Sequence, residues 1–222
     1  MKLFIDSAQA SQWPLPAGTP RIEGVTTNPS LVLQAGLPVS LAGYTQLIEQ
    51  AHGAGMQQLM VQVPSDDVQA NTALVAALQS LAGDAGLHLT IKLPCDPRWQ
   101  ASLKAVQAMG LDTLLTGLSN PMQLMWAQDM GVQWVAPYVG RLEAAGRDVW
   151  ALLSACVQVQ HAGGPAVLAA SVKSSDVLAK LMGLGAAAVT LKPEFIAQLT
   201  TDAVTSQAVD QFNLDTAASL RQ

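Results

Sequence analysis

Charge is scarce in this chain. Asp, Glu, Lys and Arg make up 12% of its 222 residues, about half the share of an ordinary globular domain. The 16 acidic and 11 basic residues leave a net charge of −5, and no basic block stands out. Nucleic acid is recognised by a basic face, so it is not an expected partner. Low charge also fits a surface partly covered by self-association, although an Ala-, Leu- and Gln-rich soluble protein would have the same composition. Cysteine is almost absent. Cys95 and Cys156 have neither metal-ligand spacing nor the density of a disulfide framework, and they read as two reduced thiols in a cytoplasmic protein. No apolar run approaches the roughly 20 residues of a membrane span. Met1-Lys2-Leu3-Phe4-Ile5-Asp6 opens without the apolar stretch of a signal peptide, so no membrane partner is expected.

Two further absences narrow the chemistry. The first strand candidate runs into Asp6-Ser7-Ala8-Gln9, and neither GxGxxG nor a Walker pattern occurs anywhere. A doubly wound nucleotide-binding sheet usually carries such a loop after its first strand. The three histidines fall at a helix end (His52), at a strand start (His88) and ahead of another strand (His161). Zinc needs clustered His, Cys or carboxylate ligands. Neither a metal nor a cofactor is expected.

What the chain does have is a regular alternation. Short apolar runs occur at Lys2–Asp6, Ile22–Thr26, Gln58–Val63, His88–Lys92, Asp112–Thr116, Gln133–Tyr138, Pro165–Ser171 and Ala187–Leu191. The segments between them carry helical spacing, as in Val68, Leu74, Ala77, Leu78 and Leu81. Gly55, Gly86, Gly110, Gly131 and Gly185 stand just before strands, where a helix C-cap is expected. Strand then helix, eight times, predicts a single-domain (β/α)8 barrel. Its length suits one core without a linker or second domain.

In such a barrel, functional side chains come from the C-terminal strand ends. Those ends read Asp6, Thr26 to Asn28, Gln62, Lys92, Thr116, Tyr138 and Ser171, a polar set on apolar strands. Lys92 is the most telling. It lies inside His88-Leu89-Thr90-Ile91-Lys92-Leu93-Pro94, an apolar run stopped by proline. Burying an ammonium is costly, and desolvation lowers its pKa, freeing a neutral amine to attack a carbonyl. An edge-strand lysine that snorkels to water is the alternative.

The strand ends also carry a resemblance. Phe4-Ile5-Asp6-Ser7, Gly24-Val25-Thr26-Thr27-Asn28-Pro29-Ser30, Ile91-Lys92-Leu93-Pro94, Val135-Ala136-Pro137-Tyr138-Val139-Gly140-Arg141 and Val167-Leu168-Ala169-Ala170-Ser171-Val172-Lys173 occur in order. They resemble the strand-one, -two, -four, -six and -seven motifs of the transaldolase superfamily, from residue 2 to about 212. Gln62 and Tyr138, where transaldolases usually have glutamate and phenylalanine, are similar to the small aldolases resembling fructose-6-phosphate aldolase. The loops Thr116-Gly117-Leu118-Ser119-Asn120-Pro121 and Pro94-Cys95-Asp96-Pro97-Arg98-Trp99 depart from that group's usual sequence.

The resemblance implies a class I aldolase acting on a ketone donor of the dihydroxyacetone type and an aldehyde acceptor such as glyceraldehyde 3-phosphate. A transaldolase and a non-catalytic sugar-phosphate-binding barrel are the alternatives. Lys92 is then the Schiff-base lysine, Tyr138 the general acid/base, and Gln62 the holder of a water. Asp6 and Asn28 bind donor hydroxyls, and Thr116 positions water or substrate. Arg141, Ser171 and Lys173 form an acceptor phosphate site. Thr26 and Thr27 are expected to shape a turn, and Lys192 to snorkel outside. The resemblance further implies a homo-oligomer, with a C-terminal helix at about 203–220 as an expected interface element.

Overall fold

The computed structural model describes residues 1–220. Each apolar run forms a strand: β1 (Lys2–Asp6), β2 (Ile22–Thr26), β3 (Gln58–Gln62), β4 (His88–Pro94), β5 (Asp112–Leu118), β6 (Trp134–Pro137), β7 (Ala166–Ala169) and β8 (Ala188–Leu191). They pair in sequence order, all parallel, and β8 pairs back with β1 to close the barrel. Helices fill the connections: α1 (Pro29–Gln34), α2 (Leu41–Gly53), α3 (Val68–Asp84), α4 (Gln100–Ala108), α5 (Pro121–Asp129), α6 (Val139–Ala144), α7 (Val149–His161), α8 (Ser175–Leu184) and α9 (Pro193–Thr200). A last helix, α10 (Ala203–Ser219), follows the barrel. The architecture is the (β/α)8 barrel that the alternation predicts.

Parallel strands covered by helices bury both faces, which is why these runs are apolar almost throughout. Outward-facing Ile5, Val25, Leu59, Val61, Ile91, Leu93 and Leu115 pack with helix residues such as Tyr44, Leu47, Leu78 and Leu153 in one continuous core. Each such side chain contributes about 1.5–3 kcal/mol by leaving water. Inward-facing Phe4, Met60, Leu114, Ala136, Leu168 and Ala188 make a second, smaller cluster inside the barrel. Trp134 packs on that cluster and meets Phe4 edge to face, ring centroids 6.5 Å apart. This cluster is a plug, and everything inward-facing beyond it lies towards the C-terminal mouth.

The strand limits differ from expectation at the C-terminal ends of β4 and β5, each two residues longer than expected. Proline cannot donate to a ladder, yet β4 runs two residues past Lys92. The ladder continues because Pro94 pairs with Thr116 and the next amide, Cys95 N–H, donates to the Thr116 carbonyl at 2.8 Å. β3, β6 and β7 are shorter than expected at their C-terminal ends, and β6, β7 and β8 begin one residue late. The five helix-ending glycines all have positive φ, between 65° and 87°.

Cys95 and Cys156 are buried free thiols. Burial pushes the Cys95 thiol up to about 12 and the Cys156 thiol to about 11, so both stay protonated and poorly reactive. Among the described residues, no helix is long and apolar enough to cross a membrane. α10 buries none of its residues and leaves Val204, Val209, Phe212 and Leu214 exposed.

Candidate active site

The plug fixes the site above it. Two residues further along each plug strand, on the same inward face, come Asp6, Gln62, Thr116, Tyr138, Ala170 and Thr190. All but Gln62 line a cavity of about 470 Å³ at the C-terminal mouth. Asn28, Lys92, Arg141, Ser171, Lys173 and Lys192 line it as well. An apolar floor beneath convergent polar groups is the usual build of a small-molecule pocket.

Lys92 sits on this floor, in register with Gln62 on β3 and Leu114 on β5. It is only 5% exposed. Its Nζ donates to the Thr27 carbonyl at 2.5 Å. Burial lowers its pKa to about 8, partly opposed by the negative charge of Asp6. Among the described residues no carboxylate lies within salt-bridge distance of it. The strand-four lysine is therefore a buried amine close to its neutral form near pH 8, not a snorkelling one.

Asp6 is held by hydroxyls across the barrel seam. Thr26 Oγ1 donates to Asp6 Oδ1 at 3.1 Å and lies 2.6 Å from Thr190 Oγ1. Thr26 has one hydroxyl proton. If it goes to Asp6, then Thr190 donates to Thr26, giving a directed chain from β8 through β2 to β1. This corrects the expectation that Thr26 shapes a turn. Thr27 does not shape one either: its hydroxyl donates across to the Met60 carbonyl of β3 at 3.1 Å. Thr26 is an inward strand residue with no exposure.

Asn28 both caps a helix and lines the cavity. As N-cap of α1 its Oδ1 accepts from Leu31 N–H at 3.1 Å. An amide oxygen committed to the backbone fixes the side-chain flip, so its Nδ2 is the group left to donate into the cavity.

On the opposite wall, Tyr138 Oη and Thr116 Oγ1 are 2.5 Å apart. The Arg141 guanidinium lies over the Tyr138 ring, 4.7 Å from its centroid, a cation–π contact that fixes both side chains. The strand-six and strand-seven motifs meet here. Gly140 N–H donates to the Ser171 carbonyl at 3.0 Å. A Cβ at position 140 would lie 2.6 Å from that carbonyl oxygen and 3.2 Å from Ser171 Oγ, so only glycine lets the two loops close. Ser171 has φ of 60°, the one non-glycine residue with positive φ among those described. Such strain is typically found where function fixes the backbone.

Gln62 is the exception. It is half-buried, and β3 supplies no residue to the cavity lining. Its carbonyl accepts from the buried Tyr44 hydroxyl at 2.6 Å. The structure also adds residues that the strand-end reading passed over: Ser30 and Gln34 from α1, Thr190, Phe195, and Lys192, which was expected outside. Thr190 lies inside Ala187–Leu191 at an inward position, so alternation alone would have found it. Among the described residues, no group of three or more His, Cys, Asp or Glu is placed to hold a metal ion.

Comparison with known proteins agrees with the motif order. The model of the transaldolase/fructose-6-phosphate aldolase family matches residues 3–222. A protein named as a probable transaldolase from an Exiguobacterium species is 29% identical over 97% of this chain and 97% of its own length. Another from Coprothermobacter proteolyticus is 26% identical over 97% and 96%. Among solved structures, a flavocytochrome b2 superposes with a TM-score of 0.61 at 14% identity, over 90% of this chain and 58% of its own. The EAL domain of Xanthomonas citri FimX gives 0.57 at 16% identity, over 76% and 72%. At these identities the structural likenesses speak only to the barrel. The match along almost the whole sequence says more: the chain belongs to the transaldolase/fructose-6-phosphate aldolase family.

Proposed function

We propose that this protein is a class I aldolase, forming and cleaving a C–C bond between a dihydroxyacetone-type ketone and an aldehyde. The observation that carries this reading is Lys92: an amine 5% exposed, lowered to about 8 by burial, on the floor of a polar cavity. A binding barrel has no need of a buried amine, whereas a Schiff-base enzyme does.

In the cleavage direction, Lys92 adds to the ketone carbonyl of the aldol and water leaves, giving an iminium. Tyr138, hydrogen-bonded to Thr116 and acting as its phenolate, takes the proton of the hydroxyl on the carbon beyond the scissile bond and holds it for return to the enamine carbon. That bond's electron pair moves into the iminium, the aldehyde departs, and an enamine remains. Protonation of the enamine carbon and hydrolysis release the ketone and restore Lys92. Asp6, oriented by the Thr190–Thr26 chain, favours the cationic iminium and binds donor hydroxyls with the Asn28 amide. Gln62 cannot transfer a proton near neutral pH. Facing inward beside Lys92 in the ladder, it is assigned a water to hold. Arg141, Ser171 and Lys173 take the phosphate of an acceptor such as glyceraldehyde 3-phosphate. The exposed apolar residues of α10, Val204, Val209, Phe212 and Leu214, are assigned to contact between copies of the chain in a cytoplasmic homo-oligomer.

The relatives' name favours a second reading, transfer of the dihydroxyacetone unit to an acceptor sugar phosphate. The two readings separate on the fate of the enamine. With borohydride and dihydroxyacetone, Lys92 should gain a stable adduct visible by mass spectrometry. With fructose 6-phosphate alone, free dihydroxyacetone should accumulate. Unmodified protein would remove both readings, and strict dependence on an acceptor aldehyde would favour the transferase.

A further inference from the structure

The cavity concentrates positive charge in a chain that is negative overall. Among the described residues, four cations line it, namely Lys92, Arg141, Lys173 and Lys192, against one carboxylate, Asp6. A cleft lined by one sign of charge gathers ligands of the other sign. Lys192 is the residue that the strand-end motifs do not account for, and local geometry explains why it faces inward. In β8, Ala188 belongs to the plug and Thr190 to the cavity. Alternation makes 192 the next inward position. The following Pro193 disfavours the helical region for the residue before it. Lys192 accordingly keeps an extended backbone, φ −66° and ψ 143°, one residue beyond the strand, so its side chain reaches the cavity rim instead of turning outward.

Resting on the aldolase reading above, we propose that Lys192 is a specificity-determining residue of the acceptor subsite. With Arg141 and Lys173 it makes an arc of three cations on three consecutive strand ends that selects a phosphate monoester in its dianionic form. When Lys92 is neutral for attack, the three cations and Asp6 leave two positive charges in surplus. A phosphate monoester carries about −1.5 to −2 at pH 7, so the match is close. Without Lys192 the surplus falls to one charge, which suits a carboxylate or no charged group at all. One competitor is visible. Glu194 Oε1 lies 3.7 Å from Lys192 Nζ, with both side chains more than half exposed. An exposed pair at that distance is weak, so an incoming phosphate displaces it.

The test uses two exposed substitutions with opposite expected signs. In Lys192→Met, inorganic phosphate should bind about 3- to 10-fold more weakly by calorimetry, between the exposed-pair and charged hydrogen-bond scales. The ratio of kcat/KM for glyceraldehyde 3-phosphate over glyceraldehyde should fall by a similar factor. In Glu194→Gln both quantities should rise, a gain that structural damage would not produce. Borohydride trapping of dihydroxyacetone should be unchanged in Glu194→Gln, which lies outside the cavity lining. Equal phosphate affinity and an unchanged acceptor ratio in Lys192→Met would overturn the assignment, as would an unmodified protein that neither binds phosphate nor prefers the phosphorylated acceptor. Failure of trapping in the unmodified protein would instead remove the aldolase reading, while the calorimetry still judges Lys192.

Discussion

Strand β4 carries a basic side chain near each end, and the fold treats the two in opposite ways. Lys92, at the C-terminal end, is buried and among the described residues has no carboxylate partner, with Asp6 acting on it only through its field. His88, at the N-terminal end, has a side chain 54% exposed and lies 2.8 Å from Asp112 on the neighbouring strand. At the closed end the chain does what minimises free energy: it leaves the polar ring in water with a carboxylate at hand. At the open end it does the reverse, keeping a costly group dry. A fold tolerates that cost where the group is needed in its less stable state, so the contrast between the two ends separates chemistry from scaffold.

The largest effect should follow from removing that cost. Lys92→Met should abolish the borohydride adduct outright. It should also make the protein more stable at neutral pH. Burial lowers Lys92 from 10.5 to about 8, so between those values the unfolded chain binds more protons than the folded one. Stability therefore rises as pH climbs from 8 to 10.5. Below pH 8 the full penalty applies, on the order of 3 kcal/mol. The gain from Lys92→Met in urea unfolding should be greatest at pH 7 and shrink towards pH 10. A pH-independent difference would mean that the amine is not held against its preference. Next in size, Tyr138→Phe should slow aldol cleavage by about 10²- to 10⁴-fold, the scale of general acid/base catalysis. It keeps the ring under Arg141 and leaves dihydroxyacetone trapping intact. Loss of trapping as well would show that Tyr138 supports the pocket instead of moving a proton.

Most of this arrangement is legible in the sequence because a barrel converts period-two alternation into inside and outside. Lys92 stood out as a charge within an apolar run, and Asp6, Thr116 and Tyr138 as polar ends on apolar strands. What was missed needed the barrel closed. The contact of Thr26 with Asp6 and Thr190 crosses the seam where β8 meets β1, which no local window contains. Thr26 also stands next to Thr27-Asn28-Pro29, whose turn chemistry hides its strand geometry. Lys192 looked like a snorkelling lysine because its strand had ended, although the proline after it was the cue that the extended backbone continues. Gln62 differs in the other direction. It faces inward by register, but the cavity leans towards the β6–β8 side and takes nothing from β3.

Within the open end, the rim should matter less than the floor. Arg141→Ala removes a guanidinium suited to phosphate oxygens. A charged hydrogen bond is worth about 1.5–3 kcal/mol, so kcat/KM for a phosphorylated acceptor should fall roughly 10- to 150-fold. A neutral aldehyde should be much less affected. Equal losses for both would assign Arg141 to bracing Tyr138 through the stacking contact instead.

The smallest effect belongs to the closed end, and it is the control that gives the comparison its meaning. The His88–Asp112 pair is solvated, with 54% and 34% of its side chains exposed. Such a pair contributes about 0–1 kcal/mol and weakens with salt. His88→Ala, Asp112→Ala and the double variant should form a cycle with a coupling below about 1 kcal/mol that fades at high ionic strength. Trapping, cleavage and acceptor preference should all stay at the level of the unmodified enzyme, because the apolar plug of Phe4, Met60, Leu114, Ala136, Leu168 and Ala188 lies between this pair and the cavity. A loss of activity without a matching loss of stability would mean that charge at the closed end is felt through the plug. The two ends of β4 would then be one electrostatic unit, and the low pKa of Lys92 would have to be explained by more than its own burial.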